Sequence, residues 1–143
     1  MPVYQVVSPE DLLTDQQRRQ IVEEITRIHT TATGAPEAFV NVFFQDVPPG
    51  RMFSAGKPSR LSLIVGSIRE GRTIELRQQV LRDLSEMWAS ITGTSEAELL
   101  LAIQETNPLT AMEMGLIFPL PGEEESWFEE NKDRLVALGV MPA

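Results

Sequence analysis

A repeat constrains this chain more than any single motif. Laid over itself at an offset of 59 residues, the segment from His29 to Pro49 falls on Trp88 to Pro108. Thr33-Gly34 then meets Thr92-Gly93, Glu37-Ala38 meets Glu96-Ala97, Gln45 meets Gln104, and Pro49 meets Pro108. The same offset carries Ile21 onto Val80, Ile25 onto Leu84 and Ile28 onto Met87. Agreement of turn residues and of a helical stripe at one offset marks a duplicated supersecondary unit.

Each copy reads as strand, helix, strand. In the first, Val3 to Val7 is short and β-branched. Thr14 opens a helix, with Gln17 three residues on as its capping-box partner. Ile21, Ile25 and Ile28 recur at helical spacing, Gly34 stops the helix, and Phe39 to Gln45 is the second strand. In the second copy Leu61 to Ser67 is a strand. Thr73 to about Thr92 is a helix carrying Leu76, Val80, Leu84, Met87 and Ile91, Gly93 stops it, and Leu99 to Glu105 closes the unit.

A strand–helix–strand unit of this length makes a parallel pair with a right-handed crossover. Two such units are expected to join into one four-stranded sheet with both helices on one face, an α/β (α+β) fold. The expected division of a single domain, 1–143, is unit one 2–46, a linker 47–60 holding three prolines and two glycines, unit two 61–105, and a C-terminal extension 106–143. The extension contains Phe118-Pro119-Leu120-Pro121-Gly122, an extended turn segment, and a helix is predicted from Ser126 to Leu138.

Composition removes several function classes. The chain of 143 residues has no cysteine, so a disulfide framework, a thiolate metal site and a Cys nucleophile are excluded; its single histidine argues against a His-based metal cluster. A net charge of −9 makes nucleic acid a poor partner. The cluster Glu123, Glu124, Glu125, Glu129 and Glu130 reads as a solvated face. No apolar run approaches membrane-spanning length and no signal peptide is evident, so no membrane partner and a cytoplasmic location are expected.

Four positions carry candidate chemistry. Pro2 follows Met1, and a small residue there favours removal of Met1, which would leave a secondary amine as the chain terminus. An α-amino group titrates near about 7.7 to 8, and burial or neighbouring cations lower it, giving a base poised near neutrality. Arg69-Glu70-Gly71-Arg72 reads either as a solvated turn or as an anion site, with two guanidinium groups gripping one carboxylate at a helix N-terminus. If a pseudo-twofold axis relates the units, the first strands run antiparallel and Arg69 approaches Pro2. The copy of Pro2 in the second unit is then Leu61, which has no free amine, so one site per chain is expected. His29 reads as a core or boundary residue, or as a ligand-binding one. Glu113, between Met112 and Met114, reads as a surface glutamate or as a general acid or base. Trp88 and Trp127 read as packing residues.

These residues together resemble the cis-3-chloroacrylic acid dehalogenase family of the tautomerase superfamily. The resemblance runs nearly end to end, through Pro2-Val3-Tyr4, Ile28-His29, Thr33-Gly34, Arg69-Glu70-Gly71-Arg72, Glu113-Met114-Gly115, Phe118-Pro119, Pro121-Gly122 and Trp127-Phe128. It implies two β-α-β units, a homotrimer, and an amino-terminal proline, here Pro2, as general acid or base. It implies that His29, Arg69 and Arg72 hold a substrate carboxylate and that Glu113 helps activate water. One family position departs: the tyrosine that shares water activation falls at Ala102, which has no hydroxyl.

The resemblance and the residues together lead to a tautomerase-type enzyme acting on small 2-oxo or unsaturated carboxylates, with no metal or organic cofactor required. Two alternatives stand beside it. One is a hydratase or dehalogenase of cis-3-haloacrylate-type substrates. The other is a trimeric binding protein without turnover on the same fold.

Overall fold

The computed structural model describes the whole chain, Met1–Ala143. Its first unit is β1 (Val3–Pro9), α1 (Asp15–Thr33) and β2 (Asn41–Val47); its second is β5 (Ser62–Arg69), α2 (Ile74–Thr92) and β6 (Leu99–Thr106). Between them the linker forms a minimal hairpin, β3 (Phe53–Ser54) and β4 (Lys57–Pro58). After β6 come a second small hairpin, β7 (Met112–Glu113) and β8 (Leu116–Ile117), and two short helices, α3 (Glu124–Glu130) and α4 (Lys132–Ala137).

The helix signals work as read. Thr14 accepts from the Gln17 backbone N–H while the Gln17 side chain accepts from the Thr14 N–H, closing the capping box. Gly34 and Gly93 end the two helices in the left-handed conformation, at φ of 74° and 70°. The buried stripes are the same at an offset of 59: Ile21, Ile25, Ile28 and His29 on α1, Val80, Leu84, Met87 and Trp88 on α2. Where unit one buries a histidine, unit two buries an indole whose N–H lacks a hydrogen-bond partner. The two units bury a side chain at the same position but do not share its polar chemistry.

The sheet order is β2-β1-β5-β6, with the outer pairs parallel and β1 antiparallel to β5. Tyr4, Val6, Ile64 and Ile68 point from the sheet into one core with the apolar stripes of both helices. Burial of each such side chain contributes roughly 1.5–3 kcal/mol. The opposite face carries Val3, Val7, Leu63 and Val65, with Phe43 and Leu100 well exposed, and no element of the chain covers it.

Four expectations need correction. The strand placed at Phe39 starts at Asn41. Residues Glu37–Phe39 form a 3-10 turn instead, which turns Phe39 into a second cluster with Phe118 and Leu135. The single helix expected from Ser126 to Leu138 is two, broken at Asn131. Arg69 is the last residue of β5 rather than part of a turn. The offset between the inner strands of the two units is also 60, not 59. Val3 pairs with Asn41 and Leu63 with Leu100, so Pro2 corresponds to Ser62 and not to Leu61. The β5–α2 connection is shorter by one residue.

Candidate active site

The antiparallel β1–β5 pairing decides what lies near the chain terminus. Val3 pairs with Ser67, so the start of β1 lies beside the end of β5, which carries Arg69. Pro2 is fully buried there, and its carbonyl accepts the Asn41 backbone N–H at 3.1 Å. The C-terminal extension folds over this end of the sheet. Gly71 (φ 103°) makes that approach possible: a Cβ at this position would sit 2.7 Å from Cγ of Pro121.

The space enclosed is a cavity of about 310 Å³. Met1, His29, Arg69, Arg72 and Glu124 supply its polar wall; Phe39, Ile68, Phe118, Trp127 and Phe128 supply much of its apolar wall. Trp127 therefore does more than pack. It stacks on Phe118 and meets Phe39 edge-on, and one face of that aromatic group closes the cavity.

His29 is 4% exposed, and its Nδ1 lies 2.9 Å from the Tyr4 hydroxyl. Burial raises the Tyr4 phenol, which keeps its proton and has no other acceptor. Donation to Nδ1 satisfies it and puts the imidazole proton on Nε2. Tyr4 reaches His29 because its neighbour across the sheet is Gly66, where a Cβ would lie 2.6 Å from Cε1 of the tyrosine ring. Burial first, then the Arg72 charge and the amino terminus, lower the His29 imidazole from 6.5 to about 4. At neutral pH His29 is thus a neutral hydrogen-bonding group, not a cation.

That shift has a consequence for stability. Because the folded-state value is depressed, the unfolded chain binds the extra proton first as pH falls. The protein is expected to lose stability on acidification from about pH 6.5 to about 4, by up to about 3 kcal/mol from this residue. Denaturant unfolding at a series of pH values checks this, with His29→Gln expected to flatten the slope across that window. A His29→Gln profile superimposable in shape on the wild type would show that other groups carry it.

The two arginines are not equivalent. Arg69 donates Nη1–H to the Pro119 carbonyl at 3.0 Å and Nη2–H to Glu124 Oε1 at 2.5 Å. Arg72 makes no ion pair, and its guanidinium is lowered by burial and then by the Arg69 charge, with Glu124 opposing. One expectation is corrected here: Glu124 belongs to the cavity, not to a purely solvated acidic face. Glu124 thus engages Arg69, while Arg72 is left without a carboxylate partner.

On the other side of Met1, Glu113 Oε2 accepts the Met1 ammonium and Oε1 accepts Asn41 Nδ2–H at 2.6 Å. A second cavity of about 390 Å³ opens there, with Met1 and Phe118 standing in both. Burial lowers the Met1 amine below its ordinary 8.0, with Arg69 adding to the shift and Glu113 opposing it by hydrogen bond and charge. Ala102 is not in either cavity wall. It pairs with Val65 in mid-sheet, and its neighbours Leu101 and Ile103 turn into the core, which leaves Ala102 on the uncovered face. No helix is long and apolar enough to cross a membrane.

Sequence reasoning named Pro2, His29, Arg69, Arg72 and Glu113 as site residues. The fold brings the arginines and His29 to one cavity and Glu113 to the terminus beside it. It missed Tyr4, Asn41 and Glu124, whose partners lie 25, 72 and 55 positions away in the chain. For Asn41 and Glu124 no local pattern signals such contacts; for Tyr4 the one usable sign is that it is the only tyrosine.

The profile of a family described as a putative oxalocrotonate tautomerase enzyme matches residues 1–132. Among solved structures, the chain is similar to N1, a member of the cis-3-chloroacrylic acid dehalogenase family. Identity is 26% and the TM-score 0.85, with 94% of this chain and 99% of that chain covered. It is also similar to native Ps01740, at 33% identity and a TM-score of 0.77, covering 78% of this chain and 99% of that one. Native fused 4-OT, 22% identical with a TM-score of 0.72 over 80% of this chain and 94% of its own, shares the fold. No curated protein matches the chain significantly.

Proposed function

The chain belongs to the tautomerase family matched across residues 1–132, and on that premise we propose that it is a cofactor-independent tautomerase-type enzyme for small 2-oxo or unsaturated carboxylates, with the Pro2 amine as general acid–base. The supporting observation is the state of the chain terminus. The Met1 amine, one residue out from Pro2, is lowered by burial against the opposing pull of Glu113, and Met1 lines a cavity that also holds Arg72, a guanidinium without a carboxylate partner. With Met1 in place the Pro2 nitrogen is an amide without a basic lone pair. Removal of Met1 makes it a secondary amine and frees the volume that separates the two cavities.

In this reading Arg72 binds the substrate carboxylate, with Arg69 behind it and His29 Nε2–H as a neutral donor. Neutral Pro2 takes the enol O–H proton, the electron pair moves through the double bond, and the ammonium returns a proton to carbon. Enol and ketone differ only in the place of that proton, so no co-reactant enters. The cations also stabilise charge that develops on the enolate oxygen.

The position of Glu113 favours a second activity on the same site. A carboxylate fixed by Asn41 beside the amine can take a proton from water as that water adds to an activated double bond, while Pro2 in its ammonium form protonates the other carbon; with a 3-chloroacrylate the resulting chlorohydrin collapses to the aldehyde, releasing chloride and a proton. The partner tyrosine is absent at Ala102. Loss of one positioned acid–base contact costs roughly 10² to 10⁴ in rate. Enol ketonisation is therefore expected to exceed halide release from cis-3-chloroacrylate by at least about a hundredfold in kcat/KM. Ala102→Tyr is expected to raise halide release with little change in ketonisation. Equal wild-type rates for the two substrates would contradict this reading.

The uncovered apolar sheet face, which carries Phe43, Leu100 and Ala102, supports assembly into a homotrimer that would bury it. A fused 4-OT described as a symmetric trimer shares the fold. The same assembly without turnover remains the rival function, and the Pro2 experiments below separate the two.

A further inference from the structure

Counting charge around the cavity gives an unequal result. Arg69 and Arg72 are the cations, and Glu124 is a carboxylate in the same wall. Glu124 is not a passing surface residue. Its Oε1 lies 2.5 Å from Arg69 Nη2, and its Oε2 accepts the Gly122 backbone N–H at 2.8 Å. Pro121, lodged against Gly71, and the Pro119 carbonyl on Arg69 Nη1 fix the segment that presents it. Burial alone would raise the Glu124 carboxyl, but bonds from its own backbone N–H, from Arg69 and from Gly122 hold it below the usual range, so it stays ionised. His29 is neutral, and across Met1 the Glu113 carboxylate is matched to the amino terminus.

We infer that Glu124 is a specificity-determining residue of this site: it takes up one of the two guanidinium charges, leaves Arg72 as the single free anion receptor, and so selects monocarboxylates over dicarboxylates. This rests on the carboxylate pocket of the proposed function and goes beyond it by assigning a residue and a charge class. A ligand with one carboxylate pairs with Arg72 and lays its carbon chain on the aromatic wall. A second carboxylate finds no free cation. It must lie against Phe39, Phe118 and Trp127 or approach Glu124 or Glu113, and like charges so placed are repelled at short range.

The test is direct binding, measured by titration calorimetry, of crotonate and fumarate, which share a four-carbon trans-alkene skeleton and differ by methyl against carboxylate. Wild type is expected to bind crotonate at least about tenfold more tightly than fumarate. Glu124→Gln, which keeps a hydrogen-bonding amide beside Arg69, is expected to tighten fumarate at least about tenfold more than it tightens crotonate. Glu125→Gln, an exposed change of the same charge, is expected to alter neither. Wild type binding fumarate as tightly as crotonate overturns the inference even if the Glu124 variant proves unstable. So does a folded Glu124→Gln protein with an unchanged ratio. Wild type binding neither ligand overturns the carboxylate pocket itself, and the proposed function with it. Binding as described but with no turnover of enols removes only the Pro2 chemistry and leaves the role of Glu124 standing.

Discussion

Replacing Pro2 by Ala in protein that lacks Met1 is expected to lower kcat/KM for enol ketonisation by about 10² to 10⁴. Alanine leaves a primary amine in the same burial, so some activity survives. What is lost is the ring that fixes the nitrogen's direction, and the secondary amine's own basicity. Pro2 is fully buried, and its carbonyl anchors Asn41, which in turn holds Glu113. The alanine variant keeps that backbone bond, so its melting temperature is expected to fall only modestly, and a kinetic loss much larger than the stability loss identifies chemistry rather than packing. Undiminished turnover in the variant would assign proton transfer to another group and favour Glu113.

Arg72→Ala is expected to cost about 2 to 5 kcal/mol of transition-state binding, the range for leaving a buried ionic partner unmatched. Arg69→Ala is expected to lose activity as well, by a different route: it strips Glu124 of its partner and leaves that carboxylate to compete for Arg72. The two variants part company in stability. Arg72 is lowered by burial and by the Arg69 charge and has no ion-pair partner, so its removal should leave the melting temperature unchanged or slightly higher. Arg69 fastens the C-terminal extension through Pro119 and Glu124, so its removal should lower it. Steady-state kinetics and thermal unfolding on both variants decide this. Unchanged kcat/KM in Arg72→Ala would place the substrate carboxylate elsewhere, and equal melting losses in both would mean that Arg72 also has a structural role.

The fold was legible where the sequence repeats itself. Capping at Thr14, the glycine stops at 34 and 93 and the two buried stripes are local signals, and duplication let each be read twice. The extension beyond residue 106 has no copy, and there reading faltered: the β7–β8 hairpin was not foreseen and the break at Asn131 was missed. Phe39 was misplaced for a similar reason. An aromatic residue just before a strand looks like part of it, and only its partners in the extension, Phe118 and Leu135, show otherwise. The one-residue difference in the β5–α2 connection slipped by because helices and outer strands keep the offset of 59 while the inner strands do not.

The candidate site divided in the same way. Its cationic and terminal residues were visible as motifs. Its supporting polar contacts were not, because Tyr4–His29, Asn41–Glu113 and Glu124–Arg69 are each made only by the tertiary fold. Candidate residues can be named one at a time from the sequence; the hydrogen bonds that set protonation state and charge balance are visible only in the fold.

The central claim is that the Pro2 nitrogen must be a free amine, and intact mass determined on the same fractions assayed for ketonisation tests it most directly. Activity is expected only in fractions whose mass corresponds to loss of Met1, and aminopeptidase removal of Met1 from an inactive fraction is expected to restore it. Full activity in protein that retains Met1 would contradict the claim, since the Pro2 nitrogen is then an amide that can neither accept nor deliver the proton.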